Sequence, residues 1–275
     1  MKKIYTFDVQ KNTENCIQWI KDWFEKNGPG CNAIIGLSGG KDSTIAAELC
    51  ARALGRDRVI GVAMPDFGQS VNDADKIAKH LGIRYMKMPI APITSGFQKL
   101  WTDLADEDFK WSEASEQNIP PRIRMTMLYA ISQTFNGRVA NTCNVSEDYV
   151  GYATLFGDAA GSFSPISGFT VTELYQIGDY LGIPAEWVHK VPADGLPHSC
   201  GDEEKFGFTY AELDAYIREG IEPKGKCNNS DELKIDKIKR MYVNNKFKTE
   251  IIQIPRFEPD VYIIPDADVI DLMID

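Results

Sequence analysis

The chain has 275 residues, 43% of them apolar and 25% charged, a balance that suits a soluble globular protein with a large core and argues against disorder. A net charge of −10 and a pI near 4.9 argue against non-specific binding to nucleic acid or to an anionic membrane. Any anionic ligand must therefore meet a local cluster of donors.

The first predicted element is a helix over 13–27, where Cys16, Ile17, Ile20, Trp23 and Phe24 recur at helical spacing until Gly28-Pro29-Gly30 ends it. The stripe of Trp19, Trp23 and Phe24 reads as helix packing or as a dimer contact. CNAIIGL (31–37) is a short apolar run like a buried strand, followed by a glycine loop and a helix from about Asp42 to Leu54. RVIGVAM (58–64) and IRYMKMPI (83–90) are the next strands, with a helix over 70–82 between them. This βαβ alternation predicts a doubly wound α/β fold, a parallel sheet with helices on both faces. Residues 101–120 are polar and aperiodic and read as a surface excursion, after which Pro121 opens a helix to about Phe135. RVANTCN (138–144) is the fourth strand, and SEDYVGYA begins as a helix. Further helices are expected over 172–181, 209–219 and 231–247, forming a helical C-terminal cap, with short strands conceivable only at EIIQIP and VYIIP.

Six scattered cysteines (Cys16, Cys31, Cys50, Cys143, Cys200 and Cys227) contain no C-x-x-C and fit reduced thiols. MKKIYTFDVQK lacks an apolar segment behind its lysines, and no run reaches transmembrane length. A cytoplasmic protein is expected. The three histidines make no metal spacing, and His198 with Cys200 is read as an incidental pair.

The loop GLSGGKDS (36–43) carries the chemistry. It is not a phosphate loop of the G-x-x-x-x-G-K-[ST] type, because Asp42 follows Lys41 and Ile35 stands where the first glycine belongs. Gly39 and Gly40 let backbone N–H groups turn towards an anion, and the helix N-terminus adds its positive end. Ser38 and Ser43 add hydroxyls, and Lys41 adds charge. A carboxylate in a phosphate cradle repels its ligand unless a cation lies between them, so Asp42 calls for magnesium. The plain alternative is that Asp42 or Ser43 only starts a helix.

SGGKDS resembles the signature of the N-type ATP pyrophosphatases, which cut ATP between the α and β phosphates to adenylate a substrate. Three further strings, QNIPPRIRMTMLYA (117–130), NTCNVSEDYVGYATLFGDAAG (141–161) and VPADGLPHSCGDEEKFGFTYAELDAYI (191–217), resemble the ammonia-dependent NAD synthetases of that group. The resemblance runs from the first helix to about Lys248. It implies a homodimeric flavodoxin-like fold and one NAD synthetase domain over 1–275. The pyrophosphatase core would cover about 13–190, and a substrate loop with a helical part about 191–275. It also implies amidation of deamido-NAD by ammonia, with ATP leaving as AMP and pyrophosphate.

By the same resemblance, Gly36, Leu37, Ser38, Gly39, Gly40, Lys41, Asp42, Ser43 and Thr142 contact ATP, and Asp42 and Glu147 hold Mg²⁺. Arg122, Asp158, Lys246 and Lys248 are matched to deamido-NAD, while Lys41, Asp42 and Asp202 are taken as catalytic, Asp202 through the proton of ammonia. From the residues alone, Arg122 and Arg124 occupy a first helical turn, where the dipole disfavours cations, so an anion nearby or simple solvation explains them. Ser146-Glu147-Asp148 reads equally as an ordinary helix start. Leu155, Ser162 and Val171 stand where many relatives carry lysine, aspartate and lysine, and Lys246-Phe247-Lys248 replaces a His-Lys-Arg; the substrate contacts are expected to be redrawn. No glutaminase segment is seen, so free or partner-supplied ammonia is expected. A tRNA thiolase and a non-enzymatic ATP-binding module are the rival readings.

Overall fold

The computed structural model describes residues 5–104, 112–190, 201–228 and 230–261. Four parallel strands form the sheet: β1 (Asn32–Gly36), β2 (Val59–Ala63), β3 (Arg84–Lys87) and β4 (Gly137–Val139), in the order β3-β2-β1-β4. Side chains alternate across the strands, so each face acquires its own core. Ala33, Ile35, Val59 and Ala63 pack with α1 (Val9–Asn27), α2 (Lys41–Leu54), α3 (Asn72–Leu81), α7 (Val171–Leu181) and α8 (Ala185–Val188). Ile34, Ile60 and Val62 turn the other way, onto Ile123 and Ile131 of α5 (Glu113–Thr134). A third cluster holds the cap. Phe206 of α9 (Asp202–Phe206), Leu213 and Tyr216 of α10 (Tyr210–Glu219) and Ile238 of α11 (Lys234–Asn245) close over Val150 of α6 (Val145–Val150).

The doubly wound expectation holds, with three differences in detail. A helix, α4 (Ala91–Leu104), occupies a stretch partly read as surface excursion. Its proline, Pro92, lies in the first turn, where a missing N–H costs nothing. Helix α5 begins at Glu113, capped by the Ser112 hydroxyl, and runs through Pro120 and Pro121. Those prolines leave the carbonyls of Glu116 and Gln117 without helical partners. The Asn118 carboxamide helps hold this turn, donating to Ala114 O and accepting from the Thr154 hydroxyl at 2.7 Å. Arg122 and Arg124 therefore lie well inside α5, and the dipole argument for a neighbouring anion does not apply to them.

The third difference is at the C-terminus. EIIQIP is no strand: it ends α12 (Phe247–Ile251) and continues as an extended strap, and VYIIP lies outside the described residues beyond Val261. The strap pairs with the segment after β4, where Ser164 N–H donates to Pro255 O at 2.8 Å and Phe257 N–H returns to Ser164 O. Phe257 anchors it against Phe169 and Trp19. Only glycine fits at 168, because a Cβ there would lie 2.3 Å from Phe257 O.

Candidate active site

Strand β1 hands the chain to β2 on one side, while β4 flanks it on the other. The crevice beyond the carboxyl ends of β1 and β4 is thus the topological switch point of the sheet, where open α/β folds receive ligands. The glycine loop and the 140–147 segment both emerge into it. A cavity of 550 Å³ opens there, lined by residues 36–43, by Thr142 and Glu147, and by Asp158 and Asp202.

The loop is pre-shaped. Gly39 adopts φ +88 in tight contact with α3, so that a Cβ would approach Asp73 Cβ to 3.1 Å. Ser38 Oγ receives Gly40 N–H at 3.2 Å and meets Ser43 Oγ at 3.2 Å. Thr44 Oγ1 donates to Gly40 O at 2.7 Å, fixing the turn into α2. Helix geometry orphans the first N–H groups of α2, and among the described residues no hydrogen bond engages those of Lys41, Asp42 or Ser43. These amides are the donors available to a phosphate. Leu37 differs: its N–H bonds Val62 O and its side chain is buried under the loop, so it supports rather than offers a donor.

Lys41 is buried at a helix N-terminus, a costly place for a cation. Its Nζ pairs with Asp42 at 2.8 Å and lies near the rings of Tyr175 and Tyr210, 5.8 and 5.9 Å from their centroids. Burial lowers its pKa, but Asp42 and Glu147 outweigh burial and hold it above the ordinary lysine value. Glu147 shows the converse. Burial first, and the Asp42 carboxylate next, push its pKa well above the glutamate range despite Lys41. Asn144 ties the two acids together. Its Nδ2 donates to Asp42 Oδ1 at 3.2 Å, its N–H reaches Glu147 Oε2 at 3.3 Å, and its Oδ1 caps α6 through Glu147 N–H. The pair is an acidic site short of positive charge, which a hard divalent cation with phosphate oxygens and waters would supply. Among the described residues no group of three or more His, Cys, Asp or Glu is gathered for a metal.

Asp202, buried at the start of α9, accepts the Tyr152 hydroxyl at 3.0 Å, with Tyr210 Oη at 3.5 Å. Burial, and then Asp202, push the Tyr152 phenol up to about 12, so it stays a donor. Asp158 accepts Thr154 N–H at 2.8 Å and lines the cavity. Cys143 Sγ donates to Asp158 O.

The remaining expected residues are scattered. Arg122 is exposed, donates to Leu155 O at 3.2 Å and lines neither cavity. Its neighbour Arg124 does line the large one and braces the loop after β2, donating to Met64 O and Gln69 Oε1. Lys246 is exposed between α11 and α12, also away from both cavities. Lys248 lines a second cavity of 380 Å³ behind the 157–160 segment, donating to Gly151 O at 2.7 Å and Ala153 O at 3.0 Å. Val171 is buried in the cap cluster, and Ser162 accepts Val139 N–H. Sequence reasoning missed Gln69, Asp73 and Lys190 on the cavity wall, the last two paired at 2.6 Å. No local pattern announces them, since tertiary folding alone brings them to the loop. His198 and Cys200 lie outside the described residues; the other five cysteines are free and buried.

Comparison with known proteins decides the family. A family model described as NAD synthase matches residues 12–252. The chain belongs to the NAD synthase family. It is 36% identical over 253 residues to the NH(3)-dependent NAD(+) synthetase of Archaeoglobus fulgidus, covering 90% of this chain and 98% of that protein. Among solved structures it resembles an NH3-dependent NAD synthetase from Campylobacter jejuni, with a TM-score of 0.68 and 28% identity over 90% of this chain and 99% of that one. It also resembles an NMN synthetase from Francisella tularensis, with a TM-score of 0.79 and 27% identity over 92% of this chain and 100% of that one. As a member of the NAD synthase family the chain is a ligase. No helix among its described residues is long and apolar enough to cross a membrane.

Proposed function

We infer that this member of the NAD synthase family amidates deamido-NAD with ammonia, while ATP is cleaved to AMP and pyrophosphate. The observation that carries the reading is the loop itself: three amides free among the described residues, two serine hydroxyls and a buried lysine beside the Asp42 and Glu147 carboxylates that Asn144 links at the switch point. The nicotinate carboxylate attacks the α-phosphorus, the bond to the β-phosphate oxygen breaks, and the loop stabilises the departing pyrophosphate. A magnesium ion held by Asp42 and Glu147 would neutralise polyphosphate charge there. Ammonia then attacks the acyl carbon and the C–O bond to AMP breaks. Asp202, oriented by Tyr152, takes the proton that nitrogen sheds. Asp158 and Lys248 are assigned to the deamido-NAD side, and Arg122 and Lys246, which line neither of the two cavities, to its outer reach. We take 1–275 as one functional unit acting in the cytoplasm, a setting that the five free thiols among its described residues suit.

A homodimer is part of this proposal. Helix α4 shows Ile93, Phe97, Leu100 and Leu104 on one face at i, i+4, i+7 and i+11, with Leu100 63% and Leu104 65% exposed. A stripe of that kind is expected against a second copy. Light scattering of an L100D/L104D double variant should report a monomer where the parent is a dimer.

A second reading has its own support. The higher TM-score to an NMN synthetase, with Leu155 and Val171 in place of lysines, favours the same chemistry on the mononucleotide. One assay tests both. Enzyme, Mg-ATP and ammonium are incubated with deamido-NAD or with nicotinate mononucleotide, and AMP and the amide product are measured. Equal amounts of AMP and NAD support the first reading, and amidation of the mononucleotide alone supports the second. AMP without amide, or binding without turnover, contradicts both.

A further inference from the structure

The glycine loop is packed against the start of α3. A Cβ on Gly39 would meet Asp73 Cβ at 3.1 Å and Ala74 N at 3.4 Å, so the Asp73 side chain stands beside the turn that leads to the free amides of α2. Lys190, two residues after α8, comes to the same place, and its Nζ meets Asp73 Oδ2 at 2.6 Å. The residue before it is tethered as well. The His189 ring stacks on Tyr175 at 5.2 Å, and its Nε2 approaches Asp179 to 2.9 Å. Tyr175 is also one of the rings near Lys41, 5.8 Å from its Nζ. Two contacts thus bring residue 190 to the loop, one through Asp73 and one through the ring beside Lys41.

Among the described residues three cations line the large cavity, and they are held differently. Lys41 is buried and tied to Asp42. Arg124 gives two of its donors to Met64 O and Gln69 Oε1. Lys190 is bound to a partner that can release it: the two side chains are 49% and 37% exposed, and an ion pair so open to water contributes little. Once released, Asp73 keeps a favourable place in the first turn of α3, whose positive end suits a carboxylate. The freed ammonium would gain more from a phosphate, because a charge-assisted hydrogen bond to a polyanion is stronger than a solvated pair. Asp42, Glu147, Asp158 and Asp202 line the same cavity, so a polyphosphate entering it gains from each cation that can turn towards it.

We propose that Lys190 is a binding residue for the pyrophosphate half of ATP, traded from Asp73 to the β and γ phosphates as the nucleotide enters. Asp73 holds the lysine beside the loop beforehand and competes with the ligand for it. The proposal rests on the reading that the loop holds the departing pyrophosphate. It adds a cation to that loop from a part of the chain with no phosphate-binding pattern of its own.

Calorimetry with inorganic pyrophosphate, ATP and AMP, each with Mg²⁺, on the parent, K190Q, K190R and D73N separates a phosphate contact from a structural latch. K190Q should weaken pyrophosphate and ATP about tenfold and AMP little, and K190R should retain most of the parent affinity. D73N should bind pyrophosphate as tightly as the parent or several-fold more tightly, because it removes the competing carboxylate and leaves the lysine. A pair that merely fastened residue 190 to α3 would be broken alike by D73N and K190Q, so equal weakening in both would overturn the proposal. Unchanged pyrophosphate affinity in K190Q, or an equal loss on AMP, would overturn it too. Each substitution falls on a partly exposed side chain, and the fold is expected to survive it. Because binding is read without turnover, a failure of the amidation reading would show instead in the product assay.

Discussion

The loop after β1 and the strap after α12 both bring cations to the same end of the sheet, and they are built in opposite ways. The loop is local: eight consecutive residues shape themselves through Gly39, two serines and the first turn of α2. The strap is assembled at a distance, from Ser164 pairing with residues 255–257, Phe257 seated on Trp19 of α1 and on Phe169, and Gly168 leaving room for its backbone. The loop offers backbone donors whose placement depends little on side-chain identity. The chamber beneath the strap offers side chains, which can be exchanged without touching the phosphate chemistry. Leu155, Ser162 and Val171 line neither cavity.

Breaking the loop should cost most. Asp42→Ala removes the partner of Lys41 and half of the acidic pair, and kcat/KM for ATP should fall about 10²–10³-fold in a steady-state assay. Comparable turnover in the variant would remove Asp42 from the mechanism. Gly168→Ala attacks the other region. Displacing the strap should destabilise the protein by about 1–3 kcal/mol in urea unfolding and raise KM for the nicotinate substrate several-fold. KM for ATP should stay put; if it rises equally, the two regions are not separable. The smallest effect is electrostatic. The pKa of Glu147 is raised in the fold, so without metal the native state holds a proton that the unfolded chain releases. Stability should therefore fall as pH climbs from the ordinary glutamate range through that raised pKa, and magnesium should reverse the loss. A melting-temperature gain from Mg²⁺ that grows with pH in the parent and vanishes in Glu147→Gln is the expected outcome. A gain independent of pH would contradict the coupled pair.

The contrast also sets what the sequence could reveal. Ile34 and Ile35 alternate over a short apolar run, and the glycine loop follows at once, so the sheet, the succession of strands and helices along the chain, and the loop that lines the large cavity were all legible. Helix α5 was cut short in the reading because Pro120 and Pro121 ordinarily start helices, and only the contact of Asn118 with Thr154 shows how the chain runs through them. That same error placed Arg122 and Arg124 at a helix N-terminus they do not occupy. Tyr152 and Tyr210 around Asp202, and Lys190 beside Asp73, have no local signature because they meet across 50, 8 and 117 residues of sequence. Arg256 comes directly after EIIQIP, where a short strand was conceivable and where α12 instead runs out into a strap.

The central claim is that the loop serves adenylation of a carboxylate rather than transfer of a γ-phosphoryl group. Deamido-NAD labelled with ¹⁸O in its carboxylate, turned over with Mg-ATP and ammonium, tests it directly by mass spectrometry of the nucleotide products. One ¹⁸O atom should appear in AMP, carried across when ammonia breaks the acyl–oxygen bond. Unlabelled AMP, or ADP in its place, would contradict the account.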